Sequence, residues 1–101
     1  MKQTEQISST TDKDSIFAQL VDSLGVVMGH DVVALMHVTP STRIFLDLGL
    51  TSIDVVQVAN EVTKRYPRAS TLAVWVSDRP MRDIARLTIA DIVEYIANAD
   101  H

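Results

Sequence analysis

The stretch Phe45-Leu46-Asp47-Leu48-Gly49-Leu50-Thr51-Ser52-Ile53-Asp54-Val55-Val56 decides how this chain folds and where its chemistry lies. Gly49 permits a tight bend just before an apolar run of helical period. Thr51 and Asp54 read as a Thr-x-x-Asp capping box. The hydroxyl accepts from a free backbone N–H one turn in, and the carboxylate reaches back to the N-cap amide. Ser52 then falls at the first helical position, beside unpaired backbone N–H groups and the positive end of the helix dipole. That setting favours a phosphate ester on its hydroxyl by roughly 0.3–1 kcal/mol when exposed.

Working outward, the same device opens two more segments, Thr11-Asp12-Lys13-Asp14 and Thr88-Ile89-Ala90-Asp91. After Thr11, the residues Ile16, Leu20, Leu24, Val27 and Met28 recur at three- and four-residue spacing, with Phe17 and Val21 widening the stripe. Gly29 is expected to end this helix. After Thr51, the inner face is expected to be Val55, Val56, Ala59, Val62 and Tyr66, with Pro67 as the stop. After Thr88, Ile89, Ile92, Val93 and Ile96 face inward. Each stripe covers one side only, so the helices must bury their stripes on one another.

The two connections differ in character. Residues 30–50 read as a long loop, with Val32, Val33, Leu35, Met36 and Val38 as apolar cover and Pro40-Ser41-Thr42 as a turn. Ile44, Phe45, Leu46 and Leu48 should pin it to the core. Between 67 and 87, Leu72 to Val76 looks strand-like by composition but has no second strand to pair with. An irregular or short helical segment packing Trp75 on the bundle is the expectation. Pro80 then suits the first turn of a short helix over Met81–Arg86, with Asp78 as its cap.

Composition narrows the class. The 101 residues allow one small domain, and 47% of them are apolar, which is enough for a core. Residues 1–11 are polar and read as a flexible head, and 100–101 as a frayed end, leaving 12–99 as the domain. Neither a secretory nor a transit pattern is visible, and no apolar run reaches the roughly 20 residues of a membrane helix. A cytoplasmic protein that does not touch membrane is expected. There is no cysteine, so disulfides, thiolate metal sites and a Cys nucleophile are excluded. His30, His37 and His101 lack metal-ligand spacing, so no metal site is expected. The net charge is −4, yet Lys64, Arg65, Arg68, Arg79, Arg82 and Arg86 face only Asp78 and Asp83 between 64 and 86. Such a stretch is a solvated face or a docking patch for an acidic partner. The acidic flanks argue against nucleic acid.

The decisive stretch resembles the attachment motif of the acyl and peptidyl carrier protein family, Asp-Leu-Gly-x-Asp-Ser-Leu. The match is Asp47-Leu48-Gly49-Leu50-Thr51-Ser52-Ile53, with Ser52 at the serine that takes 4'-phosphopantetheine. Leu87 to Ile96 also resembles the family's last helix, and the likeness spans about residues 12–99. It implies an all-α, small four-helix bundle of the acyl-carrier type, with three long helices and a short third. It further implies a non-catalytic, monomeric carrier with no catalytic residues of its own. A phosphopantetheinyl transferase would load Ser52 from coenzyme A, and the arm would carry acyl thioesters. The partners implied are acyl-loading and acyl-processing enzymes of ketosynthase, acyltransferase or ligase type.

Two departures shape the expectation. Thr51 stands where the family most often has Asp, so the cap is kept and a carboxylate is lost. The second helix keeps Asp54 and Glu61 but places Gln57, Asn60, Lys64 and Arg65 outward, leaning from primary fatty-acid synthesis towards a specialised polyketide or related pathway. Expected partner contacts are the apolar Ile53 and Val58, ringed by Asp54, Gln57 and Glu61, with Asp47, Leu50 and Thr51 beside the serine.

The same residues admit other readings. Gly49-Leu50-Thr51-Ser52-Ile53 is not the Gly-x-Ser-x-Gly elbow of a hydrolase. A pure interaction module with the carrier fold and no prosthetic group fits the sequence as well. A helical DNA-binding domain would use Arg79, Arg82 and Arg86, whose spacing suits one helix face.

Overall fold

The computed structural model describes residues 13–99. The expected head over 1–11, the Thr11 cap and the frayed end over 100–101 lie outside the described residues. The chain forms α1 (Lys13–Met28), α2 (His30–Met36), α3 (Ser52–Arg65), a 3₁₀ turn (Pro67–Ala69), α4 (Leu72–Ser77), α5 (Met81–Arg86) and α6 (Ile89–Ala99). This is a small all-α bundle whose three long helices, α1, α3 and α6, lie where the periodicity placed them. The short helix over Met81–Arg86 is also present. One further short helix, α2, enlarges the expected set, and the segment at Leu72–Ser77 takes the short-helical of its two expected forms, as α4.

Helix α2 corrects the reading of 30–50 as a loop. Gly29 takes φ 104°, a left-handed-side conformation that breaks α1 without turning the chain into a coil. A new helix then starts at His30, buries Val33 and ends at His37, itself left-handed at φ 52°. Seven residues are too few to show a clear helical period, which is why composition alone reads as a loop. Helix α4 settles the strand-like Leu72–Val76 segment. With no neighbouring strand to satisfy its backbone, it coils and buries Leu72 and Val76. Trp75 packs as expected, its ring 4.6 Å from that of Tyr95. Asp78 is not the cap of α5; it ends α4, and Pro80 stands at the N-cap of α5 with no side-chain hydrogen bond.

The core is built on α1, which packs against α2, α3 and α6. Ile16, Leu20 and Leu24 of α1 meet Val55, Val58, Ala59 and Val62 of α3, and Ile89, Ile92, Val93 and Ile96 of α6. The inner face of α3 differs by one step from expectation. Val58 is buried, only 5% exposed, whereas Val56 is 48% exposed. Positions 55, 58, 59 and 62 follow the three-and-four spacing of one helix face, and 56 lies about a quarter-turn off it. The far end of α3 is buckled to α1 through Arg65. Its guanidinium donates to Asp22 Oδ2 at 2.6 Å, to the Gln19 carbonyl at 3.0 Å and to the Ser23 hydroxyl.

The segment before α3 is pinned as expected through Ile44 and Leu48, with Phe45 partly buried, whereas Leu46 turns outward and is 59% exposed. Arg43 and Thr88 form an isolated antiparallel bridge. Around it, Ile44 N–H donates to the Leu87 carbonyl at 3.0 Å and Ile89 N–H to the Thr42 carbonyl at 2.9 Å. Buried Ile44, Leu48 and Leu50 then cover the ends of the long helices. Gly49 has φ 70°, the left-handed turn that launches α3, and a Cβ there would meet no atom within 4 Å. Glycine is therefore wanted at 49 for its backbone freedom, not for space.

Candidate functional site

The start of α3 is held from both sides. Asp54 N–H donates to Thr51 Oγ1 at 3.1 Å, and Thr51 N–H donates to Asp54 Oδ2 at 3.0 Å. Thr51 is extended, at φ −92° and ψ 172°, so the helix opens at Ser52. The capping work falls to Thr51 and Asp54, which leaves the Ser52 hydroxyl without a role in the fold. Ser52 is exposed. It shares its position with the free N–H groups of the first turn, which favour an anionic group.

A groove of about 650 Å³ opens beside it, and Ser52 lies on its wall. Phe45 and Leu46 of the pinned loop, Val55 and Val56 of α3, Val74 of α4 and Ile84 of α5 supply its apolar surface. The volume is in the range that holds a small organic ligand. The polar groups near Ser52 and the apolar interior make a lining suited to a molecule with an anionic end and an aliphatic body.

The residues singled out from the sequence divide into three groups. Ser52, Thr51, Ile53 and Gln57 are exposed at the start of α3, with Ile53 71% exposed. Asp47, Asp54 and Glu61 reach the surface but are engaged. Asp47 accepts from the Arg43 backbone N–H at 2.8 Å and from its guanidinium at 3.1 Å; Glu61 accepts from Lys64 Nζ at 2.9 Å. The side-chain and backbone hydrogen bonds from Arg43 hold the Asp47 carboxyl below its ordinary range. Val58 is a correction: it is buried in the core, so it cannot be a surface contact. Leu50 is buried as well, yet it lines the groove together with Thr51 and Ser52. Leu50 turns inward because it covers the bundle after the Gly49 bend, and Val58 because it lies on the α1-facing stripe.

The structure adds exposed apolar residues that the sequence did not single out. Leu46, Val56, Val74 and Met81 all line the groove and are exposed, Met81 by 81%. The misfit of Val56 to the Val55–Ala59–Val62 period was the available signal for one of them. Leu46, Val74 and Met81 come from three separate elements and converge only in the fold.

The arginine trio also changes. Arg79 precedes α5, and its guanidinium lies 4.0 Å from the centre of the Trp75 ring. Only Arg82 and Arg86 share a face of α5, four residues apart. His30 opens α2, with Nδ1 3.9 Å from Asp22 Oδ1, and His37 closes it. No group of three or more metal-ligating side chains occurs among the described residues. No helix among them is long and apolar enough to cross a membrane. Comparison with known proteins adds no relative: no family model, no curated protein and no solved structure matches the chain.

Proposed function

We propose that this protein is an acyl carrier that bears a covalent 4'-phosphopantetheine arm on Ser52. The observation that carries this reading is the exposed Ser52 hydroxyl, free of capping duty, on the wall of a 650 Å³ apolar groove. The residues present fit such a group. The first-turn N–H groups of α3 suit the phosphate diester, and the apolar groove suits an aliphatic chain beside it. When bound, the arm supplies a thiol that holds acyl groups as thioesters, which a chain without cysteine cannot do by itself.

The chain's own part is to present and position. Loading joins Ser52 Oγ to the phosphorus of coenzyme A's pantetheine half. The nucleotide half leaves, and a base of the transferase takes the hydroxyl proton. Thr51 and Asp54 hold the helix start so that the oxygen stays at the surface for that attack. Gly49 and the pinned loop keep the approach open. The carrier then raises the local concentration of cargo at a docked enzyme into the millimolar range. Acyl-loading and acyl-processing enzymes are its partners in this reading. The few acidic groups on α3 favour a specialised polyketide or related pathway.

Intact-mass measurement tests the proposal. After incubation with coenzyme A and a broad-specificity transferase, the protein gains one phosphopantetheine and Ser52→Ala gains nothing. An unchanged wild-type mass with several transferases leaves an interaction module without a prosthetic group.

A further inference from the structure

The lining of the groove beside Ser52 changes with depth. Its mouth is formed by exposed residues, among them Thr51, Ser52 and Ser77 with their hydroxyls and the apolar Val74 and Met81. Ala73 and Ile84 are half-buried along its sides, and Leu50, Val55 and Val76 are buried at its floor. The polar side chains of the lining are thus all at the mouth, and no ionisable side chain lines the groove among the described residues.

The three floor residues also line a second, far smaller hollow of about 10 Å³ in the core, shared with Leu20, Leu24 and Ile89. Every residue around that hollow is buried, and Leu50 and Val55 are the least buried of them. Side chains with one flank on the groove and the other on the core have that exposure. They arrive from three places: Leu50 from the turn after Gly49, Val55 from α3 and Val76 from α4. Val55 stands three residues after Ser52, almost one helical turn from the serine. A wall one side chain thick therefore closes the groove near the hydroxyl.

We propose that Leu50, Val55 and Val76 are the length gauge of this carrier. Its cargo is an uncharged aliphatic acyl group that enters the groove tail first and stops at their wall. A methyl terminus at the floor meets only apolar side chains. A hydroxyl, amine or carboxylate there would lose its water with no side-chain partner to replace it. Length is limited because a close-packed floor admits a further carbon only by displacing core side chains. This cargo class rests on the carrier reading for the bond that tethers it.

Straight-chain alcohols from butanol to dodecanol stand in for the cargo in the test. Each is titrated into the isotope-labelled, unmodified full chain while backbone amide shifts are followed. Binding should tighten roughly tenfold for each two carbons added and then gain nothing beyond one length, with shifts centred on Leu50, Val55 and Val76. Octanediol, with a hydroxyl at each end, should bind at least about tenfold more weakly than octanol. Val76→Ala removes two methyl groups from the wall and should raise the limit by about two carbons. Val76→Ile should lower it by about one. Val74→Ala trims the mouth and must leave the limit where it was. Thermal midpoints check folding, and should one Val76 variant unfold, the other carries the test. Absence of binding, affinity that rises without limit, or equal binding of octanediol overturns the proposal. So do a limit indifferent to Val76, one moved as far by Val74→Ala, or shifts centred on α2. A length limit set by Val76 with no mass gain at Ser52 keeps the wall and sinks the carrier reading. A mass gain without any limit does the reverse.

Discussion

The starts of α3 and α6 carry the same cap and have opposite fates. Thr88 N–H donates to Asp91 Oδ2 at 3.0 Å and Asp91 N–H to Thr88 Oγ1 at 3.2 Å, matching the Thr51–Asp54 pair bond for bond. The residue after the cap is Ile89 in α6, fully buried, and Ser52 in α3, exposed. Backbone bonds from Ile89 to Thr42 and from Ala90 to Pro40 draw the α6 start under the 39–50 segment. The α3 start emerges from the far end of that segment, after the Gly49 bend, onto an open groove. A capping box therefore specifies where a helix begins, and its surroundings decide whether that beginning is core or site.

The comparison can be broken most severely at the residue after each cap. Ile89→Ala should cost about 2–5 kcal/mol in denaturant unfolding, since it empties a fully buried position. Ser52→Ala should stay within about 0.5 kcal/mol of the wild type, while abolishing the mass gain. A large loss from Ser52→Ala would mean the hydroxyl is structural, and the contrast between the two helix starts would collapse.

A middle-sized effect tests the sameness of the caps. Thr51→Ala and Thr88→Ala should each destabilise by about 1 kcal/mol, with Thr→Ser largely restoring both. Only Thr51→Ala should also slow loading of Ser52, measured as the rate of mass gain under one transferase. Equal loading rates for the two variants would show that the cap does not position the serine.

The smallest effect concerns the segment that joins the two starts. Arg43 lowers the Asp47 carboxyl from its ordinary value of 3.8. The contact is therefore fully present above that value and is lost as pH falls through the lower folded-state value. Amide shifts in the Leu48–Leu50 turn and at Ser52 should move in that acid window in the wild type and not in Asp47→Asn. The Ile89 amide should move least, because it donates to the Thr42 backbone carbonyl. Matching titrations at Ser52 and Ile89 would show that the two helix starts are not independently held.

Much of this was legible in residues taken singly. The Thr-x-x-Asp boxes marked the first residues of α3 and α6, Pro67 marked the end of α3, and the stripe Ile16–Leu20–Leu24 identified the inner face of α1. What failed was finer. Val56 and Val58 exchange roles although spacing separates them: two residues apart on a helix they point to opposite sides, and only Val58 keeps the three-and-four spacing with Val55, Ala59 and Val62. Leu50 is at once core and groove lining, because the Gly49 bend turns it inward beside Ser52. Helix α2 was missed because its few apolar residues lack the length for a period to show.

The sequence by itself determined the all-α class, the three long helices, the two described caps and the position of Ser52 at the start of α3. Those depend on local rules: apolar spacing, hydroxyl and carboxylate reach, and the backbone freedom of glycine. Only the tertiary structure decided that the serine faces an apolar groove, that Asp47, Asp54 and Glu61 accept hydrogen bonds within the chain, and that Leu46, Val56, Val74 and Met81 meet around that groove. Those outcomes depend on which side chains from distant segments arrive at the same place, and no local rule encodes that meeting.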